Sequence, residues 1–213
     1  MAMNILFLED SLIDYELICE LLVESGIELL PTHALNKQSY QQALSSQRFD
    51  LIVSDYQLPD YNAFDALHHR NELEIDTPFI CVSGSIGEES AIDLLKNGAA
   101  DYVLKDRMSR LPFAIRKALE EANERHERRH MQQELEKSEA KFRHLFENHV
   151  AAKVLIDPET GYVVEANEAA VQLVGETQET IQLLNWRQLA HSTSVELDEI
   201  SRIIMEEGKI HFE

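Results

Sequence analysis

Four places in this chain hold side chains able to do chemistry together. Glu9 and Asp10 follow the apolar run "NILFL" (4–8), and Asp55 closes "LIVSD". Ser83 closes "FICVS", and Lys105 follows "DYVL". Each stands at the end of a short apolar run, where a bare carboxylate is costly to bury unpaired. Three carboxylates held a few ångströms apart repel one another unless a cation lies between them. Their oxygens, with retained water, suit a hard divalent ion such as Mg2+. The lysine adds a fixed positive charge and the serine a hydrogen-bond donor. Around one free carboxylate, such a set makes a phosphoryl-transfer site. Asp55 would attack phosphorus while the metal and Lys105 stabilise the equatorial oxygens. Taken singly, the same residues read as helix caps, turn residues or a surface lysine; their order and joint placement carry the argument.

For these groups to meet, the runs that carry them must lie side by side. "NILFL", "IELLPTHA", "DLIVSD", "PFICVSG" and "DYVLK" read as strands, several of them continuously apolar and so buried on both faces. Between them lie helical patterns. "SLIDYELICELLVESG" has Leu12, Ile13, Leu17, Leu21 and Leu22 as its stripe, Ser11 or Asp10 as cap and Gly26 as its end. "NKQSYQQALSSQ" turns Tyr40, Ala43 and Leu44 inward. "NAFDALHHRNE" and "EESAIDLLKNGA" follow, the latter closed by Gly98, and "LPFAIRKALEEANE" opens a fifth helix. Strict strand–helix alternation predicts an α/β fold with a parallel sheet covered on both faces. Ligands of such sheets bind outside the carboxyl ends of the strands, where the four positions stand.

The stretches "FLEDS", "SDYQLP", "VSGSIGEE" and "GAADYVLK" make residues 1–120 resemble a two-component response-regulator receiver domain. The spacings agree, with 22 residues from Ser83 to Lys105 and three from Tyr102 to Lys105. The resemblance implies a flavodoxin-like (βα)5 fold with a five-stranded parallel sheet. It implies Asp55 as phospho-acceptor, and Mg2+ held by Glu9, Asp10, Asp55 and the backbone carbonyl of Gln57. Ser83 would be the switch hydroxyl, Tyr102 the switch aromatic, and Lys105 the contact to the phosphoryl group. By the same resemblance, Gln57 and Ser85 would occupy positions whose side chains tune autodephosphorylation. The implied partner is a histidine kinase or phosphotransfer protein. Two departures stand out. Asn62–Ala63 replaces a glycine common in the loop after the acceptor, and Asp106 replaces a proline that in many receivers gives a cis bond after the lysine.

The bulk numbers set outer limits. The 213 residues suit one large domain or two small ones and carry a net charge of −20. Residues 1–110 hold 19 Asp+Glu against 7 Lys+Arg. An acidic surface of this kind repels phosphate backbones, so no nucleic-acid partner is expected for this chain. Cys19 and Cys81 lie in apolar surroundings and read as reduced core thiols of a cytoplasmic protein. No run of 18 apolar residues exists, so no membrane association is expected. "MAMNILFLED" reads as a strand, not a signal peptide.

From Phe113 to Asn148 there is neither glycine nor proline, and good helix formers dominate. The reading is an extended helix over 113–148. Ile115, Ala118 and Ala122 give one seam. Met131, Leu135, Ser138, Phe142 and Leu145 give a second, at spacings of four and three. A parallel coiled coil in a homodimer is the expectation, with Arg116 to Ser138 spanning roughly 35 Å at 1.5 Å per residue. His126 and His130 lack the surroundings of a kinase acceptor histidine and read as solvated polar positions.

Beyond it, "AAKVLIDPETGYVVEANEAAVQLVG" reads as strand, turn, strand and helix. Asn167 caps that helix and Gly175 ends it. "TQETIQLLN" and "STSVELDEISRIIMEEG" are further helices, and "KIHFE" begins a strand. Residues 139–213 resemble the N-terminal part of a PAS sensor domain, an α+β fold. The resemblance implies two more long strands and an output domain downstream, so the chain is expected to be a piece of a longer protein. No cysteine follows residue 81, which disfavours the flavin photosensor type. His191 and His211 read as surface residues rather than haem ligands, and no cofactor is expected there.

Three functions follow in order. The first is a phospho-acceptor response regulator that catalyses its own phosphorylation and dephosphorylation at Asp55, without separate substrate turnover, and relays the change through the long helix. The second is a phosphorylation-independent dimerisation and sensor scaffold, marked by indifference to a phosphodonor. The third, an aspartyl-phosphate hydrolase of small substrates, lacks a substrate cap and a second acid–base carboxylate.

Overall fold

The computed structural model describes residues 2–84, 87–185 and 188 and divides into two units, Met1–His130 and Met131–Glu213. In the first unit, strands β1 (Met3–Leu8), β2 (Leu29–Ala34), β3 (Leu51–Asp55), β6 (Phe79–Ser83) and β7 (Asp101–Leu104) form one sheet in the order β2-β1-β3-β6-β7. All its pairings are parallel. The five-strand parallel reading therefore holds. Two two-residue strands, β4 (Gln57–Leu58) and β5 (Tyr61–Asn62), form a small antiparallel hairpin that the sequence reading did not contain. Helices α1 (Leu12–Glu24), α2 (Lys37–Ser46), α3 (Ala63–Glu72), α4 (Glu88–Lys96) and α5 (Leu111–Glu147) connect and cover the strands.

Because side chains alternate along a strand, β1 divides its residues between two cores. Leu6 and Leu8 pack with Tyr40, Leu44, Leu67 and Leu94 of α2, α3 and α4. Ile5 and Phe7 pack with Ile18 and Leu22 of α1 and Leu111, Ile115 and Ala118 of α5. Tyr40, Ala43 and Leu44 are the buried face of α2, as expected.

The stripe of α1 differs from the sequence reading. Its buried residues are Ile18 and Leu22, with Tyr15, Cys19 and Leu21 partly buried, whereas Leu12, Ile13 and Leu17 are exposed. Apolar residues occupy so much of this helix that a 3.6-residue period does not single out one face. The face that packs on Ile5 and Phe7 is the buried one, and the helix starts where Ser11 Oγ accepts from the Asp14 N–H at 3.3 Å.

Arg70 knots the pole opposite the carboxyl ends. It is buried, and its Nη1 donates to the Thr77 carbonyl at 2.8 Å and its Nη2 to the Gly98 carbonyl at 3.0 Å. Gly98 sits at φ +101°, and a Cβ there would stand 3.3 Å from that Nη2. The positive φ calls for glycine.

A 3-10 turn, Lys105–Arg110, precedes α5, which then runs 37 residues without interruption. The extended helix is as expected, but its first seam is not free. Ile115 and Ala118 are buried in the core of their own unit. A residue facing a sheet and one facing a second helix recur at the same period, which is why the seam reading failed there. Arg129 pairs with Asp76 at the surface. Met131, Leu135, Phe142 and Leu145 are exposed.

In the second unit, β8 (Val154–Ile156) and β9 (Val163–Ala166) form an antiparallel hairpin, followed by α6 (Glu168–Val174) and α7 (Gln178–Gln182). The hairpin turns at Asp157–Gly161, closed by Gly161 N–H to the Asp157 carbonyl at 2.8 Å. Val163, Ala166, Ala170 and Ile181 make a small core. Asn167 is buried and fully engaged. Its Oδ1 accepts from Ala170 N and Lys153 N, and its Nδ2 donates to the carbonyls of Phe146, His149 and Ala151. Ser85, the expected helix over 192–208, the strand "KIHFE", His191 and His211 lie outside the described residues. Among the described residues, no helix is long and apolar enough to cross a membrane.

Candidate functional site

Strand order alone brings the chemistry together. With β1, β3, β6 and β7 as neighbours, Glu9–Asp10, Asp55, Ser83 and Lys105 all issue from adjacent carboxyl ends. Registers Leu8↔Ser54, Asp55↔Val82 and Ser83↔Leu104 keep those ends level. Glu9, Asp10 and Asp55 each offer a carboxylate oxygen, and the three oxygens lie within 4.8 Å of one another. Glu9 is 2% exposed, Asp55 is partly buried and Asp10 is exposed.

Lys105 reaches into this group. Its Nζ stands 3.0 Å from Glu9 Oε2 and 3.6 Å from Asp55 Oδ1. It also stands 2.5 Å from Asp14 Oδ2, a partner on α1 that sequence reasoning missed. Nothing in local spacing points to Asp14, because the contact joins residues 91 apart.

The acidic loop is held from several sides. Glu9 Oε1 accepts from the Ser11 N–H at 3.1 Å, and the Glu9 carbonyl bonds His33 Nε2 at 2.7 Å. The His33 ring stacks on Tyr15 with centroids 3.9 Å apart, and Tyr15 meets Phe7 edge-on. His33 and Tyr15 were likewise not legible as positioning groups. Asp55 Oδ1 accepts from the Tyr56 N–H at 2.8 Å. The β4–β5 hairpin carries exposed Gln57 opposite Asn62, and Asn62 Oδ1 caps α3 by accepting from Asp65 N at 2.9 Å. Asn62 thus stabilises the next helix by about 1 kcal/mol.

Ser83 is buried at the end of β6. Tyr102 is half-buried against the core beneath α2, α3 and α4. Arg110 grips the chain beside it, forking onto the Asp101 carboxylate at 2.8 and 3.0 Å and donating to the Tyr102 carbonyl at 3.2 Å. No cis peptide bond occurs among the described residues, so Lys105–Asp106 is trans.

Charge and burial oppose each other here. Burial raises the Glu9 carboxyl above its usual range, with the Lys105 hydrogen bond working the other way and Asp55 adding to the rise. Burial likewise raises Asp55, again against Lys105. For Lys105, burial lowers the ammonium, but bonds from Asp14 and Glu9 outweigh it and leave it raised. Two carboxyls pushed toward protonation beside a firmly charged lysine form an acidic pocket short of positive charge. Three converging hard oxygens fit Mg2+, which favours carboxylates and water.

An acidic pocket at the carboxyl edge of a parallel sheet ordered β2-β1-β3-β6-β7, with a lysine reaching in, defines a doubly wound α/β protein of the flavodoxin-like class. The family model "Response regulator receiver domain" matches residues 5–116, and the chain belongs to that family. Among curated relatives, it is 33% identical over 123 residues to the methanogenesis regulatory protein FilR1 of Methanothrix harundinacea, covering 55% of this chain and 28% of that protein. It is 30% identical over 107 residues to the phosphate regulon transcriptional regulatory protein PhoB of Escherichia coli, covering 49% of this chain and 46% of that protein. The chain therefore matches less than half the length of either relative. The fold is shared with the receiver domain of the Francisella response regulator 1452, at TM-score 0.51 and 23% identity, covering 56% of this chain and 98% of that one.

Proposed function

We propose that this chain is a phospho-acceptor of two-component signalling, with Asp55 taking a phosphoryl group from a histidine kinase or phosphotransfer protein. The convergence of Lys105 on Asp55 and Glu9 carries the reading. An Asp55 oxygen forms the bond to phosphorus as the donor's bond to phosphorus breaks, and the bonding pair leaves with the donor. The product is an acyl phosphate. Lys105 faces the charge that grows on the equatorial oxygens. Ser83 supplies a hydroxyl at the same edge, and Tyr102 reorients with it. Glu9, Asp10, Asp55 and the Gln57 carbonyl would hold Mg2+, which when bound neutralises the carboxylates and polarises the phosphoryl oxygens.

The added charge biases a two-state element, and α5 carries the change onward to the second unit, read as the start of a PAS domain, and to an output module. The exposed seam of Met131, Leu135, Phe142 and Leu145 supports a parallel homodimer through this helix. A cytoplasmic setting suits the two reduced thiols.

The test is incubation with Mg2+ and acetyl phosphate, read by intact mass and light scattering. The expected result is one added phosphoryl group, absent in Asp55→Ala and absent with chelator. A wild-type chain that gains nothing at saturating Mg2+ would shift the reading to the phosphorylation-independent scaffold. Phe142→Glu is expected to lower the scattering mass to that of a monomer.

A further inference from the structure

We propose that Asp14 is a positioning residue that holds the Lys105 ammonium on α1 and so restrains phosphorylation of Asp55, an inference that rests on the acceptor reading above. Lys105 Nζ lies 2.5 Å from Asp14 Oδ2 but 3.6 Å from Asp55 Oδ1. The lysine is thus docked to the helix rather than to the acceptor. The dock is prearranged, because the Ser11 cap that receives the Asp14 N–H fixes the backbone from which the carboxylate projects.

An ammonium has three donors. Glu9 and Asp14 take two at hydrogen-bond distance, which leaves one for the Asp55 side. Transfer places negative charge on phosphoryl oxygens beside Asp55, and Lys105 must turn toward it. Glu9 is the poorer partner to release, because its side chain is 3% exposed and an unpaired buried carboxylate is costly. The Asp14 side chain is 41% exposed, so water replaces the lysine there at little cost. Asp14 is therefore the contact that yields. Lys105 exchanges it for the phosphoryl group, and the strength of the Asp14 contact opposes the exchange.

The experiment uses the full chain with acetyl phosphate at saturating Mg2+. Asp14→Asn keeps the shape and removes the charge. Its labelling rate is expected to rise about three- to tenfold, the range left for a part-exposed ion pair lost from the ground state. Asp14→Glu restores the wild-type rate within about twofold on the same scale. Glu16→Gln removes a charge from an exposed position on the same helix and leaves the rate unchanged. The 15N-resolved Lys105 ammonium resonance, assigned with Lys105→Arg in unphosphorylated protein, is visible in wild type and lost or shifted in Asp14→Asn.

An Asp14→Asn chain that labels no faster than wild type overturns the proposal, as does an equal acceleration in Glu16→Gln or an unmoved ammonium resonance. In each case, labelling that still depends on Asp55 leaves the acceptor reading standing. Labelling that persists in Asp55→Asn sinks the acceptor reading, and the resonance then reports on the Asp14 contact by itself.

Discussion

Residues 2–130 bury charged side chains, Glu9 and Arg70, whereas the buried polar side chain described in residues 131–185 is a neutral amide. The first unit has two apolar layers on a five-stranded sheet, and its buried carboxylate, Glu9, stands at the sheet's edge beside Lys105. Among its described residues, the second has a four-residue core cluster and one buried polar side chain, Asn167, whose donors and acceptor all serve the backbone. A large core can hold charge at its edge, because packing fixes the carboxylates despite their mutual repulsion. A small core has no such reserve, and there a neutral amide does the fastening.

This contrast is open to direct tests. Leu22→Ala removes a fully buried side chain and is expected to cost the first unit about 2–5 kcal/mol by urea unfolding. A loss below that range would mean the layer between α1 and α5 is loosely packed. Lys105→Met is expected to lower labelling by acetyl phosphate about 100-fold, the scale of one lost charge-stabilising donor. Its melting temperature should fall little by comparison, separating chemistry from scaffold. Asn167→Ala strands three carbonyls and is expected to cost about 1–3 kcal/mol in the second unit. Hydrogen exchange should quicken at the amides of Lys153 and Ala170 while labelling at Asp55 keeps its wild-type rate. Slowed labelling would break the contrast between the two regions. Arg129→Ala removes a surface ion pair with Asp76 and is expected to change stability by about 1 kcal/mol or less.

Most strands of the first unit were legible because doubly buried parallel strands are continuous apolar runs, and three of them end at or beside a polar candidate residue. Asp55, Ser83 and Lys105 stood out for that reason. The partners of those residues did not. Asp14 lies on α1, whose crowded apolar positions suggested the wrong face. His33 and Tyr15 act through a carbonyl and a ring stack, neither of which leaves a spacing in the chain. The β4–β5 hairpin is too short for any period to register. For α5, the lack of glycine and proline disclosed the helix, but residue type could not divide core from seam at Ile115 and Ala118.

The Arg70 knot has a mechanical meaning. Gly98, just past the end of α4, is tied through its carbonyl to Arg70, and Asn71 Nδ2 holds the Asn97 carbonyl at 3.0 Å. The opposite end, at Gly87, has no side-chain cap. The last turn of α4 is thereby fastened to α3 through two carbonyls, while its first turn is held by the packing of buried Ala91 and Leu94, with Ile92 and Leu95 left exposed.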